Sequence, residues 1–404
     1  MRVIVQAFAS IAAMCLIGTV AGVAQSDSKH NPFSFNQLGG GSAGTYAAIR
    51  LRQLGKSFVV IEKQDRLGGH SNTYFGTTTG LPVPYGVMSI LNKSVVTVTN
   101  QSENVDFATG EPIAIKLITI PNDDPEVRIA IENYKAQLAK CPFATKYKIE
   151  AIVPFIAGYN TGFGDSFLKL TLYMLKMFSL DVIYGIQHGF LSLPSHDNSV
   201  SYRAAEKKLG HDMLYKSRVF SAMRGLSEMD NSSYILAQTP SGQKPIHAKN
   251  ILIAVSQTIE NLMQLSLDRK GREIFAQFTG TYRYSSVIKN IYQIVQSIEN
   301  RAYGTPYNLP ILPGVYSLVN TSVPGLNWVL YGSSTFMRNE EVKKDIVDSV
   351  LLIRRPNITV TGPEIVAFKT HSPYELTVPV QAIQGGFYTG AALTAHESSH
   401  LGLY

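Results

Sequence analysis

The clearest periodicity lies between Thr45 and Leu54, where apolar side chains recur at Ala47, Ala48, Leu51 and Leu54 among helix formers. That spacing predicts a helix with one apolar face, and Gly55 stands where a helix C-terminal glycine belongs. Phe58-Val59-Val60-Ile61 follows as an unbroken apolar run. Such a run marks a strand buried on both faces, as in a parallel sheet. The segment ahead of the helix, Asn31 to Leu38, carries Asn36 and Gln37. A central parallel strand is normally rich in Val and Ile, so this one is expected to be short and poor. Further on, Tyr234–Gln238 and Pro245–Ala248 predict a hairpin turning at Ser241-Gly242. The most apolar later stretch, Phe167 to Phe190, is interrupted by Lys169, Lys176, Asp181 and His188. Those residues make it a core helix or a pocket wall rather than a membrane span.

The N-terminal segment has its own pattern. Arg2 precedes an apolar stretch from Val3 to Val20, followed by the small residues Gly22 and Ala24 and the polar run Gln25 to His30. A basic start, an apolar middle and a small-residue exit predict a secretory signal peptide over residues 1–24. Read otherwise, the stretch is a retained membrane anchor or a buried first strand. The expectation is a secreted or secretory-lumen protein with no stable membrane span after cleavage. Cleavage removes Cys15 and leaves Cys141 alone, so no internal disulfide is expected. Five Asn-x-Ser/Thr acceptors lie downstream, at Asn92, Asn100, Asn231, Asn320 and Asn357, and several are expected to carry glycans.

At 404 residues, 45% of them hydrophobic, the chain has material for about two or three domains and is neither disordered nor fibrous. The formal net charge is +7, yet the longest basic runs are pairs such as Lys207-Lys208 and Arg354-Arg355. Counterion displacement needs clustered positive charge, so nucleic acid is not an expected partner. Two cysteines cannot build a zinc site, and His396-Glu397 are adjacent rather than one helical turn apart, so no metal is expected.

Gly39-Gly40-Gly41-Ser42-Ala43-Gly44 fits the G-x-G-x-x-G pattern of dinucleotide-binding turns, a weak signal alone in a chain with 32 glycines. Its context strengthens it. The predicted helix follows at once, and the next strand ends in Glu62, 18 positions after Gly44. Gly39 would allow the sharp turn, Gly41 the approach of a diphosphate, and Gly44 the close packing of helix on strand. The diphosphate would rest on the helix N-terminus. Glu62 would accept two ribose hydroxyls and repel a 2′-phosphate, which disfavours NADP. The plainer reading is a glycine loop that merely turns the chain.

Immediately after Glu62 comes Lys63-Gln64-Asp65-Arg66-Leu67-Gly68-Gly69-His70. This run resembles the E-x-x-x-R-x-G-G motif of the flavin-containing amine oxidoreductase superfamily. His247–Val255 is similar to the strand that re-enters the FAD domain in that superfamily, and Gly386–Ser399 to its closing flavin-contact segment. With G-G-G-S-A-G-T-Y-A-A, R-L-G-G-H-S-N-T-Y and Y-T-G-A-A, the chain resembles fungal flavoproteins of the β-cyclopiazonate dehydrogenase type. The resemblance implies an α/β fold, a Rossmann-like FAD-binding domain with an inserted α+β substrate domain. The FAD-binding domain would comprise 31–93, 205–261 and 364–404, and the substrate-binding domain 94–204 and 262–363. The cofactor it implies is FAD, expected to be non-covalent because Cys141 lies far from every flavin segment. Carried over, Gly39, Gly41 and Gly44 would hold the diphosphate and Glu62 the adenosine ribose. Arg66, Gly68, Gly69 and His70 would pass beside the flavin and its ribityl chain. Val219 would touch the adenine end through its backbone, and Thr389 and Gly390 would close on the isoalloxazine side. The plain alternatives are a surface ion pair for Arg66 and ordinary packing for His70.

The intervening segments are rich in aromatics, among them Phe155, Tyr159, Phe178, Tyr284 and Tyr307. Most are expected in cores, some in a pocket wall for a bulky apolar substrate. The leading expectation is an FAD-dependent oxidoreductase that dehydrogenates or oxidatively cyclises a hydrophobic small molecule, a terpenoid or indole-type secondary metabolite. Two alternatives stay open. One is an amine or amino-acid oxidase producing peroxide; the other is a degenerate, non-catalytic Rossmann-like binding protein, prompted by the poor first strand. The sequence assigns neither a catalytic base nor an oligomeric state.

Overall fold

A computed structural model describes residues 14–16, 33–86, 102–113, 153–165, 195–224, 232–291, 297–353 and 362–379, with shorter pieces between 125 and 129 and between 169 and 193. Two compact units emerge, one from segments 1–72, 198–279 and 376–404, the other from 73–197 and 280–375. The first unit opens with β1 (Met14–Leu16), β2 (Phe33–Leu38), α1 (Ser42–Gln53) and β3 (Phe58–Ile61). The second contributes β4 (Thr73–Phe75), β5 (Pro82–Pro84), β6 (Ser102–Val105), α2 (Val153–Tyr159) and α3 (Leu180–His188). The chain returns to the first with α4 (Ser199–Leu209), β7 (Met213–Leu214), β8 (Arg218–Arg224), β9 (Ser233–Thr239), β10 (Gly242–Ile253) and α5 (Arg269–Phe275). It then re-enters the second with β11 (Thr279–Lys289), β12 (Ser297–Asn300), β13 (Gly314–Asn320), β14 (Asn327–Ser333), α6 (Asn339–Leu352), β15 (Glu364–Thr370) and β16 (Tyr374–Thr377).

The sheet of the first unit runs β7-β3-β2-β10-β9-β8, with β1 also pairing β10. β2 is its centre. It pairs in parallel with β3, Leu38 opposite Ile61, and with β10, Leu38 opposite Ile253. This overturns the expectation of a short, poor first strand: all six residues from Phe33 to Leu38 are strand, and Asn36 and Gln37 are fully buried. Neighbours on both edges satisfy the backbone ladder, so polar side chains do not prevent it. On one face α1 and α4 cover the sheet through Ala48, Phe58, Val60, Leu67, Ala205 and Leu209. Fully burying a side chain such as Phe58 stabilises by roughly 1.5–3 kcal/mol. α1 ends at Gln53, and Gly55, at φ 65°, closes the turn by donating its N–H to the Arg52 carbonyl. The predicted β9–β10 hairpin is present, but it turns at Pro240-Ser241, one residue before the expected Ser241-Gly242, with Thr239 opposite Gly242. β1 lies within the segment expected to be cleaved, and it pairs antiparallel with Ile251–Ile253.

The sheet of the second unit runs β15-β11-β14-β13-β12-β6, with β16 beside β11. β6 and β12 are parallel, although almost two hundred positions separate them. α6 buries Val342, Ile346 and Val350, spaced one helical turn apart, against Tyr284, Ile298, Leu318, Val329 and Tyr331 on one face of the sheet. Strand alternation therefore assigns Arg283, Glu299 and Gly332 to the opposite face. Tyr284 and Tyr331 meet edge to face at 5.8 Å, and half-buried Phe155 meets Phe178 at 5.6 Å; Phe178, Tyr284 and Tyr331 are core, whereas Tyr159 and Tyr307 are exposed. Among the described residues no helix is long and apolar enough to cross a membrane. Of the five glycan acceptors, Asn320 lies among the described residues, at the end of β13 opposite Asn327.

Candidate functional site

β2 delivers the chain into a glycine turn. Gly39, at φ 95°, donates its N–H to the Ile61 carbonyl at 2.9 Å, which ties the turn to the end of β3. The constraint at Gly44 is tighter. A Cβ there would stand 2.0 Å from the Gly39 carbonyl oxygen, so a side chain would prevent α1 from starting this close to the turn. Gly41 is the opposite case, with no atom within 4 Å of the position its Cβ would take. Beside that open side begins α1, with Gly41 as N-cap, no side-chain cap and no acidic residue in the first turn. Uncapped N–H groups and the helix dipole leave partial positive charge there, the setting a diphosphate needs.

The polar strand residues hold this turn. Gln37 donates from Nε2 to the carbonyls of Gly39, at 3.1 Å, and Gly44, at 2.7 Å, pinning both ends of the glycine segment. Glu62, 4% exposed, accepts from the Gly40 N–H at 2.6 Å on one oxygen and from the Gln64 N–H at 2.7 Å on the other. Its carboxylate thus braces the turn from the end of β3, and each oxygen keeps a further lone pair for another donor.

The Arg66–His70 run lies against the same turn. Gly68 donates its N–H to the Gly40 carbonyl at 2.9 Å, and a Cβ on Gly69 would lie 3.1 Å from the Gly41 Cα. The two glycine segments therefore run backbone to backbone. Gly68 has φ 99°, and the Tyr202 ring occupies the place a side chain would take; the Tyr202 hydroxyl also pairs with Ser42 Oγ at the start of α1. Arg66 is no surface ion pair. Its guanidinium donates to the carbonyl of Leu67 at 2.9 Å, to that of Gly69 at 3.3 Å and to Asn72 Oδ1 at 2.6 Å, folding the run into a loop. His70 is exposed at the rim of that loop. Ser71 is buried, and its hydroxyl has no hydrogen-bond partner. Ser217 donates its N–H to the Glu62 carbonyl at 2.9 Å, so the strand start carrying half-buried Val219 runs beside Glu62. Thr389 and Gly390 lie outside the described residues.

The structure thus brings Gly39, Gly41, Gly44, Glu62, Arg66, Gly68 and Gly69 around one turn, with Val219 on the adjoining strand. Sequence reasoning missed Gln37, Gly40, Ser71 and Tyr202. Gln37 was detectable, because an amide on a strand buried on both faces must find backbone partners nearby. Gly40 is an unspecified position in the motif, yet a Cβ there would meet Leu67 Cδ2 at 2.4 Å. These groups fit FAD: an open glycine face at an uncapped helix N-terminus for its diphosphate, and an orphaned buried hydroxyl at Ser71 for one of its polar atoms. Among the described residues no group of three or more His, Cys, Asp and Glu side chains is placed to hold a metal ion.

A family model of the NAD(P)-binding Rossmann-like domain matches residues 38–96. The chain is 31% identical to the FAD-dependent oxidoreductase pigF of Monascus ruber, over 87% of this chain and 82% of that one. It is 27% identical to the β-cyclopiazonate dehydrogenase of Aspergillus flavus, over 94% of this chain and 90% of that one. Among solved structures it is similar to a CLA-producing fatty acid isomerase from P. acnes, with TM-score 0.66 and 15% identity over 89% of this chain and 90% of that one. A redesigned putrescine oxidase follows at TM-score 0.58 and 14% identity, over 88% and 89% of the two chains. At such identities the structural likenesses establish the fold and nothing finer.

Proposed function

The chain belongs to the fungal FAD-dependent oxidoreductases, and on that premise we propose that it dehydrogenates or oxidatively cyclises a hydrophobic secondary metabolite of terpenoid or indole type. FAD, when bound, supplies the hydride or electron acceptor. In this reading the first unit binds FAD and the second binds substrate. The turn from Gly39 to Gly44 and the N-terminus of α1 hold the diphosphate; Gln37 and Glu62 keep that turn in shape. Arg66 fixes the Gly68–Gly69 loop against the turn, Ser71 Oγ hydrogen-bonds the cofactor, and Val219 lies at its adenine end. The observation that carries the reading is the open side of Gly41 beside an uncapped helix.

The non-catalytic alternative rested on a weak first strand, and β2 is complete at the centre of its sheet. The likeness to putrescine oxidase is one of fold and carries no substrate. Anaerobic mixing of the purified protein with terpenoid and indole compounds, and separately with putrescine, tests the substrate class. Loss of flavin absorbance with a terpenoid or indole compound is the expected result. Loss with the amine alone, and peroxide on admission of air, would overturn it.

Export through residues 1–24 belongs to the same proposal. It competes with β1, since cleavage after Ala24 removes Met14–Leu16 from the sheet. N-terminal sequencing of protein recovered from the medium is expected to begin at Gln25. A mature chain that still contains Cys15 would contradict export by cleavage.

A further inference from the structure

The second unit holds a cavity of about 380 Å³ that nothing above employs. It lies between the end of α2 with its following turn, the end of β12 and the loop that joins β12 to β13. Leu309 and Ile311 form an apolar side; Glu299, Arg301 and Tyr316 form a polar one.

The polar side is held in place. Arg301, 9% exposed, donates its backbone N–H to the Val105 carbonyl at 2.8 Å and its Nε to Asn104 Oδ1 at 3.1 Å. Next to it, Asn300 accepts from the Phe107 N–H at 3.0 Å and donates to the Val315 carbonyl at 2.6 Å. In the loop, the Thr305 hydroxyl lies within hydrogen-bonding distance of the carbonyls of Ala302 and Leu309, at 2.9 and 2.7 Å, and donates its one proton between them. Tyr307 and Asn308 sit at φ 56° and 52°, left-handed conformations that a bulky residue such as Tyr rarely adopts. Strain of this kind persists where surrounding contacts enforce it, and it gathers at binding sites. Tyr316 lays its ring over Gly332, where a Cβ would come within 2.3 Å of it.

The charges decide what fits. Burial raises the Glu299 carboxyl above the ordinary glutamate value, and the neighbouring Arg301 guanidinium pulls it the other way. Arg301 is lowered by burial, from a value so high that it stays cationic. Burial pushes the Tyr316 phenol up to about 12, so it remains an O–H donor at neutral pH. Asp165, the other carboxylate at the cavity, is exposed at the rim, where water screens it. The cavity thus presents a guanidinium and a phenol as donors beside the Glu299 carboxyl, with Leu309 and Ile311 lining it as well.

We propose that this cavity binds the carbonyl or enolate oxygen of an apolar molecule, with Arg301 and Tyr316 as hydrogen-bond donors and the Leu309–Ile311 wall against the hydrocarbon. That this ligand is the substrate rests on the oxidoreductase reading above; the binding itself does not. Calorimetric titration of the full chain with 1,3-cyclohexanedione and with cyclohexylamine tests it. The diketone binds more tightly than the amine, and Arg301→Gln weakens the diketone by about 10- to 100-fold, the range for hydrogen bonds to a charged group. Arg301→Lys recovers part of that loss, and Glu299→Gln leaves diketone binding unchanged or tighter. No diketone binding to the wild type, unchanged affinity in Arg301→Gln, or amine binding that Glu299→Gln abolishes would each overturn the proposal. If Arg301→Gln does not fold, Tyr316→Phe carries the same test, with a loss of about 5-fold expected and no loss contradicting it. FAD content of the same samples separates the two readings. Full FAD with lost diketone binding places the defect in the cavity, whereas a wild type without FAD defeats the oxidoreductase reading and leaves the diketone titration to decide this one.

Discussion

In the first unit nearly every contact that shapes the glycine turn falls between Gln37 and Asn72, whereas in the second unit Arg301 is braced by Asn104, 197 positions away. The turn is a local object. Strand, turn, helix and strand follow one another, and Gly40, Gly44 and Gly69 are set by neighbours of the same short segment, while Ala254 backs Gly39 and Tyr202 backs Gly68. The cavity is a long-range object, lined by residues from Ala157 to Ser334, and its Arg301 is held where β12 pairs with β6. Close packing against backbone leaves the turn little room to adjust. The cavity walls are side chains, which can swing. Substitutions should therefore be abrupt in the first unit and graded in the second.

The largest effect belongs to Gly44→Ala, whose new methyl would press on the Gly39 carbonyl with no side chain to move aside. Loss of bound FAD and a destabilisation above about 3 kcal/mol are expected, the range reserved for backbone clashes and core defects. Gly41→Ala is its control. With nothing near its Cβ position, the apo-protein should melt normally while FAD affinity falls about tenfold or more, about 1.4 kcal/mol. A Gly44→Ala protein with normal melting and full FAD would break the comparison.

Gln37→Leu comes next. It removes the amide that ties the Gly39 and Gly44 carbonyls together; the Gly44 carbonyl keeps its partner within α1, so the cost is about 1–3 kcal/mol for the Gly39 carbonyl left unsatisfied. Chemical denaturation should show that loss, and Gln37→Glu, which turns carboxylate oxygens toward the same carbonyls, should be worse. In the second unit Gly332→Ala asks the Tyr316 ring to shift, for about 1–3 kcal/mol of overpacking. The melting temperature should fall while FAD content stays at wild-type level.

The smallest effect is one of pH. The folded-state value of Glu299 is raised, so the stability this group contributes is present below the ordinary glutamate value and is lost as pH rises through the raised one. Relative to Glu299→Gln, the wild type should lose melting temperature as pH climbs from acid toward neutral. A constant difference between the two proteins would contradict the burial of that carboxyl.

How much of this was legible follows the same divide. α1, β3 and the β9–β10 hairpin were readable because periodicity, apolar runs and a Pro-Ser-Gly break are local signals, although the turn falls one residue earlier than expected, and the glycine spacing named its own tasks. Gln37 was misread because polarity in a strand was taken as weakness, when the amide's two carbonyl partners make it the fastening of the turn. Glu62 was read toward ribose alone; its bonds to the Gly40 and Gln64 N–H groups depend on how the end of β3 meets the turn. Arg301 and Glu299 drew no notice, since nothing in Ser297–Arg301 announces that β6 will lie alongside. Parallel pairing across such a separation has no pattern in the chain itself.

The claim that the turn built on β2 holds FAD is tested most directly by the visible absorption spectrum of the purified wild-type protein, before and after heat release of its chromophore. Oxidised-flavin bands, with FAD recovered in the supernatant at about one per chain, are the predicted result. A colourless protein that also takes up no added FAD would contradict it.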